Sequence, residues 1–329
     1  MDFEKLFHQF KDVKVAVIGD VMLDTYWWGK VDRISPEAPV PVVAVTNKEH
    51  RIGGAGNVAL NIAALGAQVS VISVLGKDDD GERVSKLLEE NNIGTKHLVY
   101  SEQRITTNKI RIISRNQHMM RLDAERTNEL EKAEEEKLLY SFENFIAAED
   151  PRVVILEDYN KGILTESVIS NICALCKKND ILVAVDPKRK NFFSYTGVDI
   201  FKPNLKEAKE GLNILTEGAG LNLLKDIHVQ LQEKLNHRIS FITLSEKGVF
   251  FQQDDVADIL PTHIRNIADV SGAGDTVIAV ASLVYAVTND VKLMAEMANI
   301  AGGLVCEEVG TMAINKNKLL AECKNLIHY

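Results

Sequence analysis

The chain has 329 residues, 46% apolar and 26% charged, enough to bury one large core or two small ones. Its formal net charge of −9 argues against a nucleic-acid or anionic-membrane surface, so an anionic substrate has to meet a local cluster of Lys or Arg. Four cysteines, a charged opening decapeptide and no apolar run near the roughly 20 residues of a membrane span lead us to expect a cytoplasmic protein with reduced thiols.

Lys14–Gly19 (KVAVIG) is a continuous β-branched run, the pattern of a parallel strand buried on both faces. Similar runs recur at 69–75, 153–156, 181–185 and 239–244. Helical patterns separate them at 56–65, 81–91, 129–148, 166–178 and 205–215. Such alternation predicts an α/β fold with a mostly parallel sheet and ligands at the carboxyl ends of its strands. No repeat or low-complexity linker divides the chain, so one domain over 1–329 is expected. Two stretches break the alternation. Tyr26–Arg51 carries Pro36, Pro39 and Pro41 among Val-rich pieces, and Ile105–Leu122 alternates apolar and polar residues. Both read as antiparallel strands, and insertions at about 26–52 and 104–123 are expected to pair into a small β-lid over the active-site face. Exposed sheets tend to pair with copies of themselves, which points to a homodimer through the lid. Cys173 and Cys176 form a C-x-x-C with no second pair or nearby His, and read as small side chains packed on an amphipathic helix.

The densest chemistry lies in Asp269-Val-Ser-Gly-Ala-Gly-Asp275. Gly272 and Gly274 free the backbone to turn, so the N–H groups of Gly272, Ala273 and Gly274 can line one concavity. The apolar run 277–287 behind it predicts a buried helix, which places that concavity at a helix N-terminus, where anions are stabilised. Asp275 is out of place there as an anion binder, but suits a base that takes a proton from a hydroxyl. An Asp N-cap after a Gly-rich turn is the structural alternative. Near the N-terminus, G-x-G-x-x-G and G-x-x-x-x-G-K-[ST] are both absent, which speaks against a Rossmann dehydrogenase and a P-loop kinase. Asp24, after the first strand, offers two acceptor oxygens to vicinal hydroxyls. Gly53-Gly54-Ala55-Gly56-Asn57 opens a helix; its glycines allow backbone contact with a ligand, and Asn57 supplies a donor and an acceptor.

Together G-G-x-x-N and D-x-x-G-A-G-D resemble the ribokinase-like, or PfkB, family of carbohydrate kinases over essentially the whole chain. The resemblance implies a three-layer ribokinase-like fold, ATP and Mg²⁺, with a monovalent cation as a further candidate. By it, Asp275 is the base and the Gly272, Ala273 and Gly274 N–H groups hold the transferring phosphoryl group. Asn204 and Glu207 match N-x-x-E, which organises Mg²⁺ through water, with Glu207 in the outer shell. Ser245, Lys247 and Gly248 fall in the nucleotide-phosphate strand end, and Asn299 in the adenine pocket. Asp269 either lines the same pocket or holds the turn.

Within that family, 19–27 (GDVMLDTYW), 33–42 (RISPEAPVPV), 53–66, 158–162 (DYNKG) and 185–188 (VDPK) resemble the kinases that phosphorylate C1 of D-glycero-D-manno-heptose 7-phosphate. Their product, heptose 1,7-bisphosphate, leads to ADP-heptose and the lipopolysaccharide core. Thr25, Gly56 and Asn160 depart from that pattern, where Arg, Ala and Gly are expected. Without a G-H-x-G-H-like signature, the chain reads as a kinase-only version. Lys161 and Lys188 follow candidate strands and are the first choice for the 7-phosphate, with Arg51, Lys109 and Arg111 next. Ribokinase, fructokinase and adenosine kinase activities are the alternatives in the family; a non-catalytic sugar-binding regulator on the same fold is another, but it would need neither Asp275 nor N-x-x-E.

Overall fold

The computed structural model describes residues 1–115 and 117–328. After α1 (Phe3–Gln9), β1 (Lys14–Gly19) leads into a long hairpin of β2 (Val21–Ile34) and β3 (Pro41–Gly54), then α2 (Ala55–Leu65). Next come β4 (Gln68–Ile72), β5 (Val74–Gly76), α3 (Asp79–Glu90), β6 (Val99–Ser101) and a second hairpin, β7 (Thr107–Ser114) with β8 (Gln117–Ala124). The alternating part follows: α4 (Lys132–Glu149), β9 (Val153–Glu157), α5 (Glu166–Lys178), β10 (Leu182–Asp186), β11 (Ile200–Phe201), α6 (Leu205–Leu212), α7 (Leu221–Leu235) and β12 (Ile239–Thr243). An antiparallel pair, β13 (Val249–Gln253) and β14 (Val256–Leu260), precedes α8 (Ala273–Thr288), α9 (Val291–Val305) and α10 (Lys316–Leu326).

The main sheet runs β14-β13-β12-β11-β10-β9-β1-β4, parallel from β12 to β4 and antiparallel at the β13–β14 edge. β1 shows why an unbroken apolar run was needed. Val15 and Val17 join the core under α2, α8 and α9, while Ala16 and Ile18 join the opposite core under α4, α5 and α7. Side chains alternate across a strand, so a sheet covered on both faces demands apolar residues at every position. α8 is apolar all round because it lies inside, packed on α2 and α9. Each fully buried Val, Ile or Leu there contributes roughly 1.5–3 kcal/mol.

The two insertions do pair, into a four-stranded sheet ordered β3-β2-β7-β8. Within each hairpin the strands are antiparallel, but β2 and β7, which join the hairpins, run parallel. The first insertion also starts earlier than its prolines suggest: β2 begins at Val21, directly after Asp20 leaves β1. The expected strand 69–75 is two strands, because Ser73 turns inward to donate to the Gly19 carbonyl (2.7 Å) and β5 pairs with β6 outside the main sheet. α7 lies outside the expected helices, and the helix expected over 205–215 stops at Leu212, where Asn213 takes a left-handed conformation (φ 56°). No helix among the described residues is long and apolar enough to cross a membrane.

Candidate active site

Five strands of the parallel sheet end at one place, and four of the residues there are charged: Asp20 after β1, Glu157 closing β9, Asp186 closing β10 and Lys202 after β11, with Thr243 closing β12. α8 points its N-terminus at this row. Gly272 precedes it in a left-handed conformation (φ 78°), and a side chain there would meet Asn57 Nδ2 at 2.7 Å, so only glycine fits. Ala273 N–H turns back to the Val270 carbonyl at 3.3 Å.

Asp275, in the first turn of α8, is 3% exposed. Asn57 Nδ2 donates to its Oδ2 (2.7 Å) and the Tyr159 hydroxyl donates to its Oδ1 (2.7 Å). Burial pushes this carboxyl up to about 6, against the pull of those two donors and with the push of the nearby Asp186 charge. Glu157, Asp186 and Asp275 bring one carboxylate oxygen each within 4.8 Å of the others. Asp186 is neutralised by Lys202 (2.7 Å) and Lys188 (3.5 Å); although burial opposes it, these ammonium groups hold its carboxyl below the usual range. Glu157 has no such cover. It is fully buried, neither oxygen has a hydrogen-bond partner among the described residues, and burial with the Asp186 and Asp275 charges drives its carboxyl well up.

The other candidates divide between two sides. Asp24 on β2 accepts from Arg111 Nη1 (2.5 Å), and from Thr311 Oγ1 at the longer distance of 3.4 Å. Gly53 passes close behind it: a Cβ on that glycine would lie 2.5 Å from Asp24 Oδ2. Gly54 and Asn57 complete the turn into α2, and Asn57 Oδ1 is buried without a hydrogen-bond partner among the described residues. Lys161 is bound to Glu125 (2.7 Å). Lys109 has no ion-pair partner among the described residues; its ammonium stands 5.3 Å from the Tyr159 ring centroid. Burial, with Lys161 and Arg111 nearby, pushes the Lys109 ammonium down despite Asp24.

A cleft of about 1360 Å³ opens on the other side, lined among others by Lys188, Asn204, Glu207, Ser245, Lys247, Gly248, Gly272, Asp275 and Asn299. It exceeds the roughly 300–1,000 Å³ of a typical small-molecule pocket. N-x-x-E is here a helix cap: Asn204 Oδ1 accepts from Glu207 N–H and Glu207 Oε2 accepts from Asn204 N–H, both at 2.8 Å. That leaves Glu207 Oε1, which Lys188 meets at 2.7 Å. Lys188 therefore stands with Glu207 and Asp186, and its ammonium lies 5.6 Å from the Tyr159 ring centroid. Asp269 ties the turn together, accepting from Ser271 and from Gly310 N–H (2.9 Å). Asn299 on α9 donates to the Pro261 carbonyl (2.9 Å) at the cleft wall.

Glu157, Asp186, Lys202, Tyr159 and Asp20 were not among the expected site residues. For Glu157 and Asp186 a signal existed: each is an acid closing an otherwise apolar buried strand, a costly position unless the strand end is used. Tyr159 carries no such mark.

The model of the pfkB family of carbohydrate kinases matches residues 12–318. A protein of Sulfurimonas denitrificans named "Bifunctional protein HldE" is 38% identical over 306 residues, covering 93% of this chain and 63% of its own length. One of the same name from Geotalea uraniireducens is 39% identical, covering 98% of this chain and 65% of its own. The chain thus spans less than two thirds of the curated relatives it matches first. Among solved structures, Escherichia coli phosphofructokinase-2 in complex with potassium superposes with a TM-score of 0.77 at 18% identity, covering 95% of this chain and 99% of that one. Arabidopsis thaliana ribokinase complexed with ribose and ATP gives 0.70 at 15% identity, covering 94% and 98%. These neighbours show the ribokinase fold; the family match by itself makes the enzyme a phosphotransferase acting on a sugar hydroxyl, and the chain belongs to the pfkB family of carbohydrate kinases.

Proposed function

We propose that the chain transfers the γ-phosphoryl group of ATP to the C1 hydroxyl of D-glycero-D-manno-heptose 7-phosphate, with Asp275 as the base. The observation that carries the chemistry is the buried Asp275 carboxylate, held at both oxygens by donors and titrating near 6, at a helix N-terminus that faces the large cleft. A base tuned this way is mostly ionised at neutral pH yet basic enough to take a hydroxyl proton. The unpartnered Asn57 Oδ1 beside it suits a sugar hydroxyl as donor, and Asp24 accepts from others. ATP fits the cleft with its phosphates toward the start of α8, where the Gly272 and Gly274 N–H groups and Lys202 stabilise the charge in transfer. Asn204 and Glu207, oxygen donors suited to a hard cation, would hold hydrated Mg²⁺, which when bound neutralises the phosphates.

The heptose reading is supported by the motif stretches and by the HldE-named relatives. For the 7-phosphate, Lys188 gives way to Lys109. Lys188 already has two carboxylates, whereas the half-buried Lys109 makes no ion pair among the described residues, with Arg111 and Lys161 nearby. A cation left unpaired in the free protein is costly unless a ligand anion supplies the missing charge.

A coupled ADP-release assay across heptose 7-phosphate, ribose, fructose and adenosine tests the reading; preference for any of the last three would overturn the heptose assignment. We also propose a homodimer through the lid, since β8 is an edge strand whose described residues are all exposed, including Met119, Met120 and Leu122. Light scattering that gives a monomer mass at assay concentration would remove it.

A further inference from the structure

The turn after β9 is built around a single buried carboxylate. Asp20, 1% exposed, accepts the backbone N–H groups of Tyr159 (2.8 Å) and Lys161 (3.0 Å) on Oδ2 and that of Ile163 (3.2 Å) on Oδ1. Asn160 (φ 55°) and Gly162 (φ 90°) both adopt left-handed conformations, which turn alternate N–H groups inward toward one anion. Asn tolerates that conformation better than most side chains, which accounts for its standing where Gly was expected. From the other side Arg104, between β6 and β7, donates to the Lys161 carbonyl. Asp158 closes the turn, accepting from Asn160 N–H (2.7 Å) and the Tyr195 hydroxyl (2.8 Å). So fixed, the turn sends Tyr159 across the site, where its hydroxyl reaches Asp275 Oδ1.

We propose that Tyr159 is a positioning residue that keeps Asp275 ionised and aimed, and that Asp20 acts on the reaction only by setting Tyr159. This rests on Asp275 being the base. An O–H donor stabilises the carboxylate and not the carboxylic acid, so its removal makes Asp275 harder to ionise. The other groups facing Asp275 stay in place: Glu157 from β9, Asp186 from β10, Lys202 after β11, Lys188, and Asn57 from α2. Lys109 and Lys188 stand at 5.3 and 5.6 Å from the Tyr159 ring centroid, so a phenyl ring keeps both contacts. A turn that is merely structural predicts that loss of Tyr159's hydroxyl changes melting temperature and leaves the pH dependence alone.

The test is the pH–kcat profile of Tyr159→Phe, Asp20→Asn and the double variant, with Asp275→Asn beside them. In Tyr159→Phe the acid limb should move up by about one pH unit, a loss of roughly tenfold below the limb that fades at high pH. Asp20→Asn should move it the same way, and the double variant should move it no further than Tyr159→Phe alone. Asp20→Ser, with room for water to bond the freed N–H groups, is the second variant if Asp20→Asn does not fold. An unmoved limb in Tyr159→Phe overturns the proposal, and an additive double variant overturns the part assigned to Asp20. Near-normal turnover in Asp275→Asn removes the base itself, an outcome distinct from either.

Discussion

Asp275→Asn separates what this carboxylate does for the reaction from what it costs the fold. Its carboxyl titrates near 6 in the folded chain against 3.8 ordinarily, burial being the main cause. A raised value means that the folded state binds the proton more tightly. Stability from this group is therefore fully present below 3.8 and is lost as pH rises through about 6. The interval is about two pH units, or roughly 3 kcal/mol at about 1.36 kcal/mol per unit. Asparagine avoids that penalty and keeps both contacts, since its oxygen can accept from Asn57 and its amide can face the Tyr159 oxygen. The variant should melt several degrees higher than the wild type at pH 8 and about equally at pH 4, while kcat in the ADP-release assay falls by roughly 10²–10⁴. Wild-type activity should rise with pH through about 6. A folded Asp275→Asn with near-wild-type kcat would refute the assignment of the base, and an unchanged melting temperature at pH 8 would refute the argument that burial sets its titration.

Lys109→Met should lower kcat/KM at least tenfold for heptose 7-phosphate but little for the unphosphorylated heptose, a coupling of about 1.4 kcal/mol or more; no difference between the substrates would return the 7-phosphate to Lys161. Asp24→Ala should weaken sugar binding by roughly 1.5–3 kcal/mol and leave ATP binding unchanged, because the lost acceptor also strands Arg111 on the sugar side. If nucleotide affinity falls instead, the two ends of the cleft are reversed. Glu207→Gln keeps the α6 cap, which Gln forms as well as Glu, but loses the charge. Gln also gives up the oxygen that Lys188 meets at 2.7 Å, so melting temperature should fall modestly while the Mg²⁺ concentration needed for half-maximal rate rises; a fall in melting temperature with normal Mg²⁺ dependence would make the motif a cap and ion pair alone.

How much was legible in advance differs by element. β1, β9, β10 and β12 announced themselves because a sheet covered on both faces requires apolar residues at every position, and no other short element makes that demand. Asp275 and its glycines were legible because Gly272 takes a backbone conformation that excludes other side chains. The lid strands were visible as alternation, yet nothing local says that β2 and β7 meet in parallel; that follows from where the main sheet releases each hairpin. Charges posed the opposite difficulty. Lys161, Lys188 and Lys109 look alike in sequence, and only the folded chain shows that Glu125 holds the first, that Glu207 and Asp186 hold the second, and that the third makes no ion pair among the described residues. Tyr159 reaches Asp275 across 116 positions of sequence through a turn wrapped on Asp20. Propensity and periodicity are local and so follow from the chain itself, whereas a carboxylate's titration and a lysine's partner depend on which distant groups share its low-dielectric surroundings, and those are set by packing.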